Sequence, residues 1–256
     1  MIGAIAGDMI GSIYEASPIK RKDFSPRVAF FTDDTVLTIA VAEAILHGLD
    51  YGEPIKRLAG KYYHLSYGGA FRKWVRSWDS APYNSFGNGS AMRVSPVGFA
   101  FDPVEKVLKE AKRSAEVTHN HPEGVKGAQS TALAVYLART GVDKEDIRCE
   151  ISSRFGYDLD RTVDDIRPSY RFDVSCQGSV PESIIAFLDS DSYEDAVKNA
   201  ISLGGDADTM ACIAGGIAQA YYKKMPEQIA AQAHEKLPPD LRRTLDEFNE
   251  TYGCPF

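Results

Sequence analysis

The chain has 256 residues, 44% of them hydrophobic and 25% charged, the balance of a globular protein long enough to bury a sizeable core. A net charge of -7 and an isoelectric point near 5.3 exclude any general attraction to nucleic acid or to an anionic membrane surface. The four cysteines, Cys149, Cys176, Cys212 and Cys254, are scattered with no CxxC or zinc-type spacing, which makes a reducing cytoplasm the expected compartment.

The opening stretch, IGAIAGDMIGSIYE, is apolar. It has no basic leader and is broken by Asp8 and Glu15, so a secretory signal is not expected. The next apolar stretch, FFTDDTVLTIAVAEAIL, carries Val36, Leu37, Ala40, Val41, Ala44 and Ile45 as pairs repeating every four residues. That is a helical stripe; Ile39 and Ala42 widen it, predicting a helix buried on most sides that ends at His47-Gly48. Helices are also predicted from Glu53-Pro54, and from Asp102 as cap with Pro103 as first helical residue. More are predicted over the alanine-rich run from Pro122 to Gly141 and over the charged DKEDIRCEISSRF. VPESIIAFLDS, SYEDAVKNAISL, DADTMACIAGGIAQAYY and PPDLRRTLDEFNETYG complete the set. Only YRFDV alternates like a strand. The loop-like stretches are 17–30, 78–89 and 157–180; none has the length or bias of a linker, and no repeat is present. The expectation is one mainly α-helical domain over residues 1–256. Its longest uncharged apolar run, Thr209 to Tyr222, is too short to span a bilayer.

Two helix starts are unusually acidic. Thr32, Asp33 and Asp34 open one apolar helix, and Asp206, Asp208 and Thr209 open another. One cap and one favourable charge would satisfy either helix end. If the two helices pack in one core and their N-termini converge, the carboxylates repel unless protonated or neutralised. A pair of hard divalent cations, Mg²⁺ or Mn²⁺, is the remedy that oxygen ligands suit, with the threonine hydroxyls completing the shells. Gly204-Gly205 permits a tight turn beside such a site. The turn Gly87-Asn88-Gly89-Ser90 reads either as a plain tight turn or as a concavity of backbone N–H groups able to seat a diphosphate. Arg93 suits a phosphate or a surface acid. His119-Asn120-His121 lacks the companions of a zinc site. Trp74 and Trp78 read as packing residues, and Tyr83 and Phe86 as candidates to stack on a base.

In order along nearly the whole chain, GAIAGDMIGSIYE, FTDDT, GNGSAMRVSPVG, the pair Thr118-His119, and SLGGDADT resemble the motifs of the ADP-ribosylglycohydrolase family. The resemblance implies an all-α, compact orthogonal helical bundle with two adjacent Mg²⁺ or Mn²⁺ ions at converging helix N-termini. It also implies hydrolysis of the N- or O-glycosidic bond at C1″ of an ADP-ribosylated protein or small molecule, with ADP-ribose as product. It matches Thr32, Asp33 and Asp34 to the first ligand cluster, and Asp206, Asp208 and Thr209 to the second. Glu15, Asp33 and Asp34 are the candidate catalytic carboxylates. Gly87, Asn88, Gly89, Ser90 and His119 are the candidate substrate contacts. Asp8 matches an acidic position of the opening motif, with a helix-end or hydrogen-bonding role equally open. Two alternatives stand beside this reading: a two-metal phosphoester hydrolase, or a catalytically inactive relative that binds ADP-ribose or serves a structural role.

Overall fold

A computed structural model describes residues 1–254; the expected domain runs two residues further, to Phe256, outside the described range. The first seven helices are α1 (Ile2–Glu15), α2 (Asp33–His47), α3 (Gly52–Lys61), α4 (Gly69–Arg76), α5 (Gly89–Met92), α6 (Ser95–Ala100) and α7 (Val104–Glu116). There follow α8 (Pro122–Arg139), α9 (Lys144–Phe155), α10 (Val163–Ile166), α11 (Cys176–Leu188) and α12 (Tyr193–Ser202). The last three are α13 (Ala207–Tyr222), α14 (Glu227–Lys236) and α15 (Pro239–Tyr252). Among the described residues no strand forms; Gly87 and Ser175 share one isolated antiparallel bridge. The fold is all-α, as the sequence predicts.

The packing of α1 on α13 organises the site. Gly3, Gly7 and Gly11 recur every four residues, so they lie along one face of α1. A Cβ on Gly7 would lie 2.1 Å from the carbonyl oxygen of Ala211, and one on Gly11 would lie 2.4 Å from that of Ala207. On the facing helix, a Cβ on Gly215 would lie 2.5 Å from the carbonyl oxygen of Gly3. The two backbones therefore touch along an antiparallel seam that admits no side chain. Pairing 3 with 215, 7 with 211 and 11 with 207 carries the C-terminal end of α1, and with it Glu15, to the N-terminal end of α13. Glycine inside a helix costs about 1 kcal/mol against alanine, and here close contact offsets that cost.

Around this seam α2 packs on α3, α6 and α15, while α8 sits among α5, α6, α7, α11 and α13. The wide apolar stripe of α2 and the alanines of α8 and α13 are buried as expected. Other predictions need correction. YRFDV makes no strand: Asp173 Oδ1 accepts the amide of Ser175 (2.7 Å), whose hydroxyl then caps α11, so the chain turns into a helix instead. That helix begins at Cys176, before the predicted start, and contains Pro181. Helix α7 starts at Val104 with Pro103 in the cap position, rather than with Asp102 as cap. Trp74 is buried, but Trp78 is fully exposed and packs on nothing.

Candidate active site

The acidic helix starts meet. Glu15 at the end of α1 and Asp206 and Asp208 at the start of α13 each offer an oxygen, all within 4.8 Å of one another. Asp33 and Asp34 from the start of α2, together with Thr209, line the same cleft, about 350 Å³ in volume. Thr32 does not line it. Its hydroxyl donates to Asp8 Oδ1 (2.7 Å) and accepts the Asp34 amide (3.3 Å), so it is the cap of α2. Asp8 is wholly buried and also accepts the amides of Thr32 (3.0 Å) and Thr35 (3.2 Å) and the Thr35 hydroxyl. From α1, therefore, Asp8 anchors the first turn of α2. The sequence left its role open; the structure shows hydrogen bonding.

Among the described residues no lysine, arginine or histidine forms an ion pair with Asp8, Glu15, Asp33, Asp34, Asp206 or Asp208. Burial, and then the charge of Asp208, push the carboxyls of Asp8 and Asp33 up to about 7. The same two causes, in the same order, raise Asp34 and Asp206 well above the usual carboxylate range and raise Glu15 as well. Asp34 Oδ2 is buried with no hydrogen-bond partner. Buried carboxylates without cations are costly in the charged form, and an oxygen-only donor set suits a hard divalent cation. The cluster is thus a buried acidic group able to hold a metal.

The opposite wall is the glycine turn. Asn88 donates its amide to Val174 O (2.8 Å), and its side chain to Asp206 Oδ2 (2.8 Å) and Ser179 Oγ (3.2 Å). This side chain ties the turn to the acidic floor. Ser90 points away from the cleft: its hydroxyl donates to Gly124 O (2.7 Å). The amides of Gly89 and Ser90, at the start of the four-residue α5, donate to no acceptor among the described residues. Gly87, Asn88, Gly89, Tyr83 and His119 line the cleft. Arg93 meets no surface acid. It is fully buried, with one amino nitrogen donating to Ser114 O (2.8 Å) and Thr118 Oγ1 (3.0 Å). His121 is structural, its Nδ1 accepting the Glu123 amide (3.1 Å) at the start of α8.

Several parts of this arrangement escaped the sequence reading: the seam glycines, the bond from Asn88 to Asp206, and the contacts of Arg93. A signal existed for the first, since glycine at every fourth position of an apolar helix marks a close helix contact. For the others there is none, because their partners lie 21 to 118 residues away.

A family model described as ADP-ribosylglycohydrolase matches residues 1–253. Among curated proteins, ADP-ribosylhydrolase ARH3 of Mus musculus is 28% identical, covering 98% of this chain and 87% of its own length. ADP-ribosylarginine hydrolase Tri1 of Pseudomonas putida is 26% identical, with 94% and 76% covered. A solved structure described as an ADP-ribosylglycohydrolase-related protein complex superposes with a TM-score of 0.75 at 23% identity, covering 98% of this chain and 97% of that one.

Proposed function

The chain belongs to the ADP-ribosylglycohydrolase family, and from that premise we propose that it is a metal-dependent hydrolase that cleaves the N- or O-glycosidic bond at C1″ of an ADP-ribosylated protein or small molecule and releases ADP-ribose. The observation that carries this reading is the meeting of Glu15, Asp33, Asp34, Asp206 and Asp208 on the floor of one cleft whose other wall is a turn with free amide donors. Asp33 and Asp34 on one side, with the capping Thr32 behind them, and Asp206, Asp208 and Thr209 on the other would hold two Mg²⁺ or Mn²⁺ ions; the partnerless Asp34 Oδ2 and the lack of ion pairs support the fit. Such ions supply Lewis-acid charge for a ribose diol and a water.

The chain's own residues supply the rest. Gly87, Asn88, Gly89 and His119 line the wall that receives the diphosphate. Glu15 is the carboxylate of the acidic cluster that belongs to neither acidic helix start. Its raised pKa suits it to take the proton that an attacking water loses as the water oxygen bonds to C1″. As the bond to the acceptor breaks, its electron pair leaves with the acceptor, which takes up a proton; positive charge grows on the ribose ring, and the carboxylates of the floor stabilise it. Asp33 and Asp34 are the other candidates for the base. Four free cysteines support a reducing cytoplasm, and among the described residues no helix is long and apolar enough to cross a membrane.

The test is a hydrolysis panel with arginine-, serine- and ester-linked ADP-ribose and a generic phosphodiester, with Mg²⁺ or Mn²⁺ and with chelator. Release of intact ADP-ribose in the metal arm alone is expected. Release of AMP or phosphate makes the protein a phosphoester hydrolase. Tight binding of ADP-ribose with no turnover of any linkage makes it an inactive relative.

A further inference from the structure

One hydroxyl behind the cleft has a determined hydrogen-bond direction. Thr118 Oγ1 is fully buried and has two partners among the described residues. The first is the amino nitrogen of Arg93 (3.0 Å), which can only donate. The second is Nδ1 of His119 (2.7 Å). The hydroxyl proton thus has one acceptor in reach, His119 Nδ1. Were that nitrogen protonated, Thr118 would hold a buried donor with no acceptor. Burial and the nearby charge of Arg93 hold the imidazole well below its usual range, so the ring is neutral and carries a single proton. With Nδ1 accepting, that proton is on Nε2.

Nε2 is the ring nitrogen that overhangs the glycine turn. A Cβ on Gly89 would lie 3.2 Å from it, and one on Gly87 would lie 3.7 Å from it. It sits over Gly89, whose amide is unpaired among the described residues, on the wall of the cleft. The ring is buried, and Tyr83 flanks it at 6.1 Å between centroids.

We propose that Thr118 is a positioning residue that fixes His119 as the Nε2–H tautomer, making its imidazole a donor, beside the amide of Gly89, for the anionic oxygens of a bound diphosphate. The ligand assignment rests on the function proposed above; the tautomer does not. A phosphate oxygen only accepts hydrogen bonds, so the opposite tautomer would turn a lone pair toward it and repel it. Arg93 holds the Thr118 lone pair that would otherwise compete, through the one nitrogen of its guanidinium that has partners among the described residues.

The experiment is long-range proton–nitrogen NMR on ¹⁵N-labelled protein, paired with calorimetric titration of ADP-ribose. The wild-type spectrum should show His119 with Nε2 protonated and Nδ1 bare. Thr118→Ser should keep that pattern and bind ADP-ribose within about twofold. Thr118→Val should populate the Nδ1–H form and weaken ADP-ribose binding about tenfold, the loss expected for one hydrogen bond to a charged group. A wild-type spectrum with Nδ1 protonated overturns the role of Thr118, and it needs no variant to fold. Unchanged ADP-ribose affinity in a folded Thr118→Val protein that has switched tautomer overturns the donor role of His119. A wild-type protein with the expected tautomer that fails to bind ADP-ribose at all overturns the function proposed for the site, and the diphosphate with it.

Discussion

The starts of α2 and α13 look alike in sequence, each with two aspartates and a threonine, but they are built differently. The start of α2 is a complete helix end. Thr32 caps it, and Asp8 reaches across from α1 to accept two amides and two hydroxyls. The start of α13 has no side-chain cap. The chain enters it through Gly204 at φ +63°, and Asp206 turns to Asn88 on the glycine turn. One acidic end is thus held by the core, the other by the wall of the cleft. Paired acids at a helix start say nothing about which of them serve as caps; that depends on what else supplies the hydrogen bonds. At α2 the helix end is satisfied without Asp33 or the outer oxygen of Asp34, so both are free for chemistry.

The most damaging way to break this comparison is to separate the two ends. Gly7→Val would set a branched side chain against the Ala211 carbonyl, where even a Cβ would lie at 2.1 Å. We expect a loss of at least about 3 kcal/mol, or no folded protein, read by urea unfolding, because overpacking at a backbone contact has no flexible neighbour to yield. A Gly7→Val protein as stable as wild type would show that the seam does not hold the site together.

Next come the acids themselves. Asp34→Asn and Asp208→Asn each keep their size, so the helical circular dichroism should persist while turnover falls by about a thousandfold or more, as for removal of a group that holds the reacting charge. Equal losses at the two ends would show one shared centre; loss at one end alone would mean that the ends serve separate purposes. Glu15→Gln should cost about a hundredfold in single-turnover rate while ADP-ribose and metal still bind, the lower range for a lost acid–base group. Normal cleavage by Glu15→Gln would shift the proton-transfer role to Asp33 or Asp34.

A pH series sharpens the electrostatic side. With pKa values raised to about 7, Asp8 and Asp33 hold protons more firmly in the folded than in the unfolded state. The sign follows from linkage. Their contribution to the stability of chelated protein is fully present below about pH 4 and is lost as pH rises through about 7, with a slope near 1.4 kcal/mol per pH unit for each proton. A cation that binds the deprotonated cluster reverses this. The rise in melting temperature on adding excess Mg²⁺ or Mn²⁺ should therefore be larger at pH 8 than at pH 5, measured by scanning calorimetry. A rise that is equal at both pH values would mean that the Asp33 carboxyl does not face the ion.

The smallest effect compares the two threonines directly. Thr32→Val removes a cap and a donor to buried Asp8, and should cost chelated protein about 1–2 kcal/mol. The Thr209 hydroxyl donates only to the sulfur of Met92 at 3.7 Å, so Thr209→Val should change the stability of chelated protein by less than about 0.5 kcal/mol. Similar losses at both positions would erase the distinction drawn here.

Legibility followed the range of the interactions. The stripe from Val36 to Ile45 and the acids at two helix starts depend on residues a few positions apart, and both could be read in order along the chain. The glycines of α1 could be read too, but as helix-weakening residues they hid that helix, because propensity counts their cost and not the contact they permit. The sequence by itself therefore determined an all-α protein with its acids at the starts of apolar helices and a glycine turn between them. Only the tertiary structure decided that Glu15 reaches Asp208, that Asp8 receives the Thr32 hydroxyl proton, and that Arg93 faces Thr118 instead of an acid. Each of these joins groups 24 or more residues apart, and such a meeting is governed by which helix faces can approach closely, a property of two segments together that neither one carries alone.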